Sequence, residues 1–188
     1  MELSSALQHS VVLQPIMALT FYRKADVKTR KLGVLPGTFN PPTCAHLAIG
    51  RAGLSVVDEV VFVLPRALPH KDFSGVSFQD RLRLLQQATI NESRFSVAAS
   101  DEGLFISIAR ECRDVYGSDV ECVFLCGRDA AERIVNWDYG EPGAFPKMLT
   151  EFSMLVASRE GAYDPPAEME TLIRPLPLGI TCDHISAT

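Results

Sequence analysis

Ten residues, Gly37-Thr38-Phe39-Asn40-Pro41-Pro42-Thr43-Cys44-Ala45-His46, join an apolar run to an amphipathic stretch, and their types suit the holding of an anion. Pro41 and Pro42 cannot lie inside a helix, so a helix is expected to begin after them, with Thr43 as its N-cap. His46 then falls at the third helical position. A first helical turn carries unpaired N–H groups and a partial positive charge, which together attract phosphate. Gly37 admits a close approach of backbone to ligand. The His46 imidazole can donate a hydrogen bond to a phosphoryl oxygen; its competing reading is a partly buried packing residue.

Polar residues also follow the other apolar runs. His70 and Lys71 come after the second, Ser100 and Asp101 after the third, and Gly127, Arg128 and Asp129 after the fourth, with Trp137 a short helix later. Arg159 ends the fifth run, and His184, Ser186 and Thr188 follow the last. The chain has no G-x-G-x-x-G fingerprint and no G-x-x-x-x-G-K-[ST] loop. It also lacks a G-x-S-x-G elbow and an H-E-x-x-H helix.

The elements that must position these residues alternate. Strands are expected at 31–39, 57–65, 94–100, 121–127, 151–159 and 178–182, separated by helices at 44–54, 77–90, 103–117 and from 130, with helical 167–174 before the last strand. Ser77 and Asp80 form a capping-box-like start to the second helix. Strands separated by helices require crossover connections. The expected fold is therefore α/β, a single Rossmann-like domain with a doubly wound, mostly parallel sheet and helices on both faces. Such sheets bind ligands outside the carboxyl ends of their strands, near the switch point. The polar residues above gather on that edge.

The whole chain narrows the choices. Its 188 residues suit one domain, and a formal net charge of −5 argues against a nucleic-acid partner. Five cysteines without a CxxC pair read as reduced thiols, and the cytoplasm is the expected compartment. No metal site is expected. The apolar 11–19 stretch fits neither a signal peptide nor a membrane span, so residues 1–30 read as an extension of unknown role.

The segment GTFNPPTCAH resembles the first signature of the nucleotidylyltransferase superfamily, a Gly-Ser/Thr-Phe-Asn/Asp-Pro turn followed by His/Thr-x-Gly-His. Its double proline is most similar to nicotinate and nicotinamide mononucleotide adenylyltransferases. PHK (69–71), Arg81 or Arg83, GRD (127–129), Trp137 and Arg159 follow in the family's order, and HISAT (184–188) resembles the opening of its second signature. The resemblance covers 31–188, a nucleotidylyltransferase domain expected to lack its C-terminal end. Three departures stand out: Thr43 replaces the first histidine, Ala45 replaces the glycine before His46, and the family's terminal arginine would lie beyond Thr188.

The resemblance implies adenylyl transfer from ATP to nicotinate or nicotinamide mononucleotide, giving a pyridine adenine dinucleotide and pyrophosphate in NAD biosynthesis. It implies His46 and Thr43 as catalytic donors, and Gly37, Thr38, Phe39, Gly127, Asp129, Ser186 and Thr188 at ATP. Asn40, Lys71, Trp137 and Arg159 would hold the mononucleotide. The alternative for Trp137 is a core residue, and for Lys71 a solvated surface. Mg²⁺ would be bound mainly through ATP phosphates. The implied partners are ATP and a pyridine mononucleotide, with no membrane; a homo-oligomer stays open. A pantetheine-phosphate adenylyltransferase, a cytidylyltransferase and a catalytically degenerate nucleotide-binding module are the competing readings.

Overall fold

The strands from residue 31 onward are apolar in near-continuous runs, as a sheet covered on both faces requires. The computed structural model describes residues 19–67, 74–158 and 163–178. In chain order its elements are β1 (Thr20–Arg23), β2 (Lys31–Pro36), α1 (Cys44–Gly53), β3 (Glu59–Pro65), α2 (Phe78–Thr89) and β4 (Phe95–Ser100). There follow α3 (Phe105–Tyr116), β5 (Glu121–Gly127), α4 (Arg128–Val135), α5 (Ala144–Met148), β6 (Ser153–Ala157) and β7 (Ile173–Leu176).

The sheet order is β1-β4-β3-β2-β5-β6-β7. Every neighbouring pair is parallel except β1 with β4. The chain moves outward from β2 through β3 to β4, then returns to the other side of β2 with β5. The switch point therefore lies between β2 and β5, where Lys31 is level with Glu121 and Val34 with Phe124. The same offset carried to the strand ends sets Gly37 beside Gly127.

Two apolar layers cover the sheet. On one face Phe39, Ile49, Phe62, Leu82, Leu85 and Phe95 pack beneath α1 and α2. On the other, Ile108, Cys112, Phe124, Ala131, Ile134 and Met154 pack beneath α3 and α4. The first helix sits close on its strands: a Cβ at Gly50 would lie 2.8 Å from the Phe62 ring. That close seating fixes the height of the α1 N-terminus above the sheet edge.

One buried charge lies at the opposite edge. Glu59 begins β3 fully buried, and its carboxylate accepts from the hydroxyls of Thr29, Ser96 and Tyr116. Several donors on one buried carboxylate offset the desolvation that its burial entails.

Three expectations change. Part of the 1–30 segment has a structural place, because Thr20–Arg23 adds a strand to the sheet beside β4. The helix expected over 167–174 is a single 3-10 turn at Ala167–Met169, and strand β7 already begins at Ile173. The short helix α5 was not expected. The strand expected at 178–182 begins after β7 has ended and lies almost wholly outside the described residues. Among the described residues no helix is long and apolar enough to cross a membrane.

Candidate active site

The turn after β2 is held by its own backbone. The Gly37 N–H donates to the Val63 carbonyl at 3.1 Å, and a Cβ there would lie 3.0 Å from the Phe39 ring, so this glycine makes room for that ring. Phe39 has φ +45° and a fully buried side chain. Its backbone is therefore the part that can face a nucleotide. Asn40 is exposed, and its Oδ1 accepts from the Val76 N–H at 3.1 Å.

Thr43 is the N-cap of α1 in extended conformation, and His46 is the third helical residue, as the two prolines dictate. The Thr43 N–H donates to Nδ1 of His46 at 3.0 Å, and the Thr43 hydroxyl lies 2.8 Å from the same nitrogen. A backbone N–H can only donate. Nδ1 must therefore be bare, and in the neutral ring the proton sits on Nε2. Burial lowers the His46 pKa below the ordinary 6.5, which favours that neutral ring. The Phe39 ring meets the imidazole edge-on with centroids 5.1 Å apart. His46 thus presents one oriented donor beside the first turn of α1, whose Cys44 and Ala45 N–H groups have no acceptor inside the helix.

Across the switch point β5 ends at Gly127, the N-cap of α4, so two helix N-termini stand over adjacent strand ends. A Cβ at Gly127 would meet nothing within 4 Å, leaving open space there. Asp129 is exposed in the first turn of α4. Its neighbour Arg128 faces solvent and pairs with Glu132 at 2.7 Å.

Beyond α4 a cleft of about 350 Å³ is lined by Trp137, Tyr139, Gly140, Gly143, Phe145 and Met169 among others. Trp137 is 38% exposed, so it is no core residue. Sequence reasoning found the tryptophan and missed the cleft, whose walls come from an irregular Gly- and Pro-rich segment that carries no periodic signal.

Two strand-end residues are otherwise engaged. Ser100 is fully buried, with its hydroxyl near the Glu102 carbonyl and Glu111. Asp101 pairs with Arg66 at 3.0 Å. The structure also separates two arginines that the sequence left as alternatives. Arg81 is buried at 5% exposure, whereas Arg83 is exposed beside Asp80. The positions of His70, Lys71, Arg159, His184, Ser186 and Thr188 lie outside the described residues.

Among the described residues no group of three or more His, Cys, Asp or Glu side chains is placed to hold a metal ion. The donors at the α1 turn are N–H and O–H groups, which suit phosphate oxygens.

Residues 34–188 match the model of the cytidylyltransferase-like family. A protein of Geobacter sulfurreducens named a probable nicotinate-nucleotide adenylyltransferase is 31% identical over 160 residues, covering 80% of this chain and 68% of that protein. One of the same name from Shouchella clausii is 34% identical over 116 residues, covering 57% of this chain. The match spans only 60% of that relative's length. A solved structure of Plasmodium falciparum nicotinic acid mononucleotide adenylyltransferase complexed with NaAD superposes with a TM-score of 0.59 at 17% identity, covering 84% of this chain and 80% of that one. At that identity the likeness speaks to the fold.

Proposed function

The chain belongs to the cytidylyltransferase-like family, and on that premise we propose that it transfers the adenylyl group of ATP to a pyridine mononucleotide, releasing pyrophosphate. The names of its relatives favour nicotinate mononucleotide as the acceptor. The observation that carries the proposal is the Thr43 N–H on His46 Nδ1, which leaves Nε2–H as a fixed donor beside the α1 N-terminus.

In this reaction an oxygen of the mononucleotide 5′-phosphate forms a bond to the α-phosphorus, and the bond from that phosphorus to the bridging oxygen of the β-phosphate breaks. The pyrophosphate leaves with that oxygen. The attacking oxygen is already anionic near neutral pH, so no general base is needed. Alignment and neutralisation of charge do the catalysis. His46 Nε2–H donates to an α-phosphate oxygen as charge gathers there, a contribution of about 3–4 kcal/mol for one such donor. The first-turn N–H groups of α1 add to it.

Gly127 gives the adenosine open backbone, and Asp129 accepts from its ribose hydroxyls. The pyridine ring enters the cleft beyond α4 and stacks on Trp137. Asn40 reaches the mononucleotide through its amide, whose Oδ1 already accepts from the Val76 N–H. Lys71 and Arg159 hold mononucleotide phosphate, and Ser186 and Thr188 the β- and γ-phosphates, by family resemblance alone. Mg²⁺ would be held mainly by the ATP phosphates and would supply neutralisation of their charge, with few protein ligands needed. Free thiols at Cys44, Cys112, Cys122 and Cys126 suit a reducing cytoplasm.

The test is pyrophosphate release from MgATP with nicotinate mononucleotide, nicotinamide mononucleotide and phosphopantetheine in turn. Release with a pyridine mononucleotide alone supports the proposal. Release with phosphopantetheine alone, or ATP binding without release, overturns it.

A further inference from the structure

We propose that Arg81 is a positioning residue, whose guanidinium fixes the plane of the Thr38–Phe39 peptide and thereby aims the Phe39 N–H and the His46 ring at the α-phosphate. The inference rests on the reading of this turn as the ATP phosphate site.

Arg81 lies in the first turns of α2 with 5% of its surface exposed. Its Nη1 donates to the Thr38 carbonyl at 2.8 Å, and its Nε to the Val76 carbonyl at 3.1 Å. Val76 in turn donates its N–H to Asn40 Oδ1 at 3.1 Å. Gly75 is drawn so close that a Cβ there would lie 2.3 Å from Asn40 Nδ2. One planar guanidinium therefore clamps the 37–40 turn and the segment before α2 together. Lysine has no second, rigidly spaced donor to copy that.

The consequence runs through the backbone. The Thr38–Phe39 peptide is trans, so its carbonyl and N–H point in opposite directions. A carbonyl held by the buried Arg81 turns the Phe39 N–H away from α2. The same constraint holds Phe39 at φ +45°, a conformation that a bulky residue rarely keeps unless its surroundings enforce it. The Phe39 ring then stands edge-on to His46 at 5.1 Å and limits where the imidazole can tilt. Arg81 acts on the reaction through these two groups without touching the nucleotide.

The full chain carrying Arg81→Met or Arg81→Lys tests this. For Arg81→Met the expected result is at least a tenfold loss in kcat and a tenfold weaker Kd for ATP by calorimetry. The Kd for the pyridine mononucleotide, felt only through Asn40, should weaken less than that for ATP, and the His46 ring resonances should shift in NMR. Arg81→Lys should recover only part of each. Unchanged ATP affinity and unchanged His46 resonances in a folded Arg81→Met protein would overturn the proposal. So would equal losses for ATP and mononucleotide that track a fall in melting temperature. If Arg81→Met does not fold, the same readouts on Arg81→Lys decide. A wild-type chain that binds ATP but releases no pyrophosphate with any mononucleotide sinks the adenylyl-transfer reading instead, and Arg81 is then judged on ATP affinity and the His46 resonances.

Discussion

The backbone N–H of Thr43 and Nδ1 of His46 face each other across 3.0 Å, with the Thr43 hydroxyl 2.8 Å from the same nitrogen. The residue that the family pattern offers as a second phosphate donor is, in this chain, turned onto the histidine. Its N–H sets the tautomer whatever side chain it carries. The neutral ring with its proton on Nε2 is favoured by burial and by this bond together.

His46→Ala should therefore lower kcat by about two to three orders of magnitude, the usual loss for one oxyanion donor. Thr43→Ala leaves the backbone N–H in place and should cost less than tenfold. The wild-type kcat should stay level through neutral pH and fall only below the ordinary imidazole value of 6.5, where protonation of Nδ1 opposes the Thr43 N–H. Stability follows the same sign: with the folded pKa lowered, it is complete above 6.5 and is lost as pH falls towards the folded value. A Thr43→Ala loss as large as that of His46→Ala would put the hydroxyl on phosphate after all.

Trp137 is the only tryptophan in the chain, so its emission reports on the cleft beyond α4 without labelling. A pyridine mononucleotide should quench it, and ATP alone should change it less. Trp137→Ala should weaken mononucleotide binding by about 1–3 kcal/mol, the range for a base stacked on an aromatic side chain. Calorimetric titration checks this, and unchanged affinity would remove the ring from the acceptor site.

The parallel sheet was legible because β2 to β5 are mostly apolar runs spaced by amphipathic helices. Ser77 capped α2 as its sequence indicates, accepting from the Asp80 N–H at 3.2 Å. Two elements were illegible for physical reasons. β1 is four residues long and takes its place from pairing with β4, a tertiary effect that no local pattern carries. Residues 167–174 read as helix by propensity, but Ile173 pairs beside Met154 in the sheet, and burial decided against the helix. In the candidate site Thr43 and His46 followed from the two prolines. Arg81 could only be narrowed to a pair, because a buried arginine bonding carbonyl oxygens has the same sequence signature as an exposed one.

Cys44 opens α1 next to Thr43 and is the exposed cysteine among the described residues. Iodoacetamide should carboxamidomethylate it and abolish most activity by filling the space before His46. MgATP should slow the loss, Cys44→Ser should resist it, and Cys182→Ser should behave like wild type. Full activity after mass spectrometry confirms modification of Cys44 would place the phosphate site elsewhere.

Glu111 supplies a stability prediction with a definite sign. It is buried on α3, and Ser100 Oγ lies 3.0 Å from its Oε1 and 2.9 Å from the Glu102 carbonyl, while accepting the Glu102 N–H at 3.2 Å. The Ser100 hydroxyl has one hydrogen, and the Glu111 carboxyl and the Glu102 carbonyl compete for it, so the ionised Glu111 is poorly compensated. Burial raises the carboxyl pKa above the ordinary 4.5; the nearby carboxylates of Asp101, Glu102 and Asp114 push the same way, against the Ser100 bond. With the folded pKa raised, the stabilisation is complete below 4.5 and is lost as pH climbs through the folded value. The Glu111 Oε2 is buried without a hydrogen-bond partner, so little offsets the cost of ionisation. Glu111→Gln keeps an acceptor for the Ser100 hydroxyl and stays neutral at every pH. It should match wild type near pH 4 and exceed it at pH 8 by about 1 kcal/mol, roughly 2–4 °C in Tm. Melting curves across that range decide the matter: a Gln variant less stable than wild type at pH 8 would mean that the ionised carboxylate is the form the fold holds.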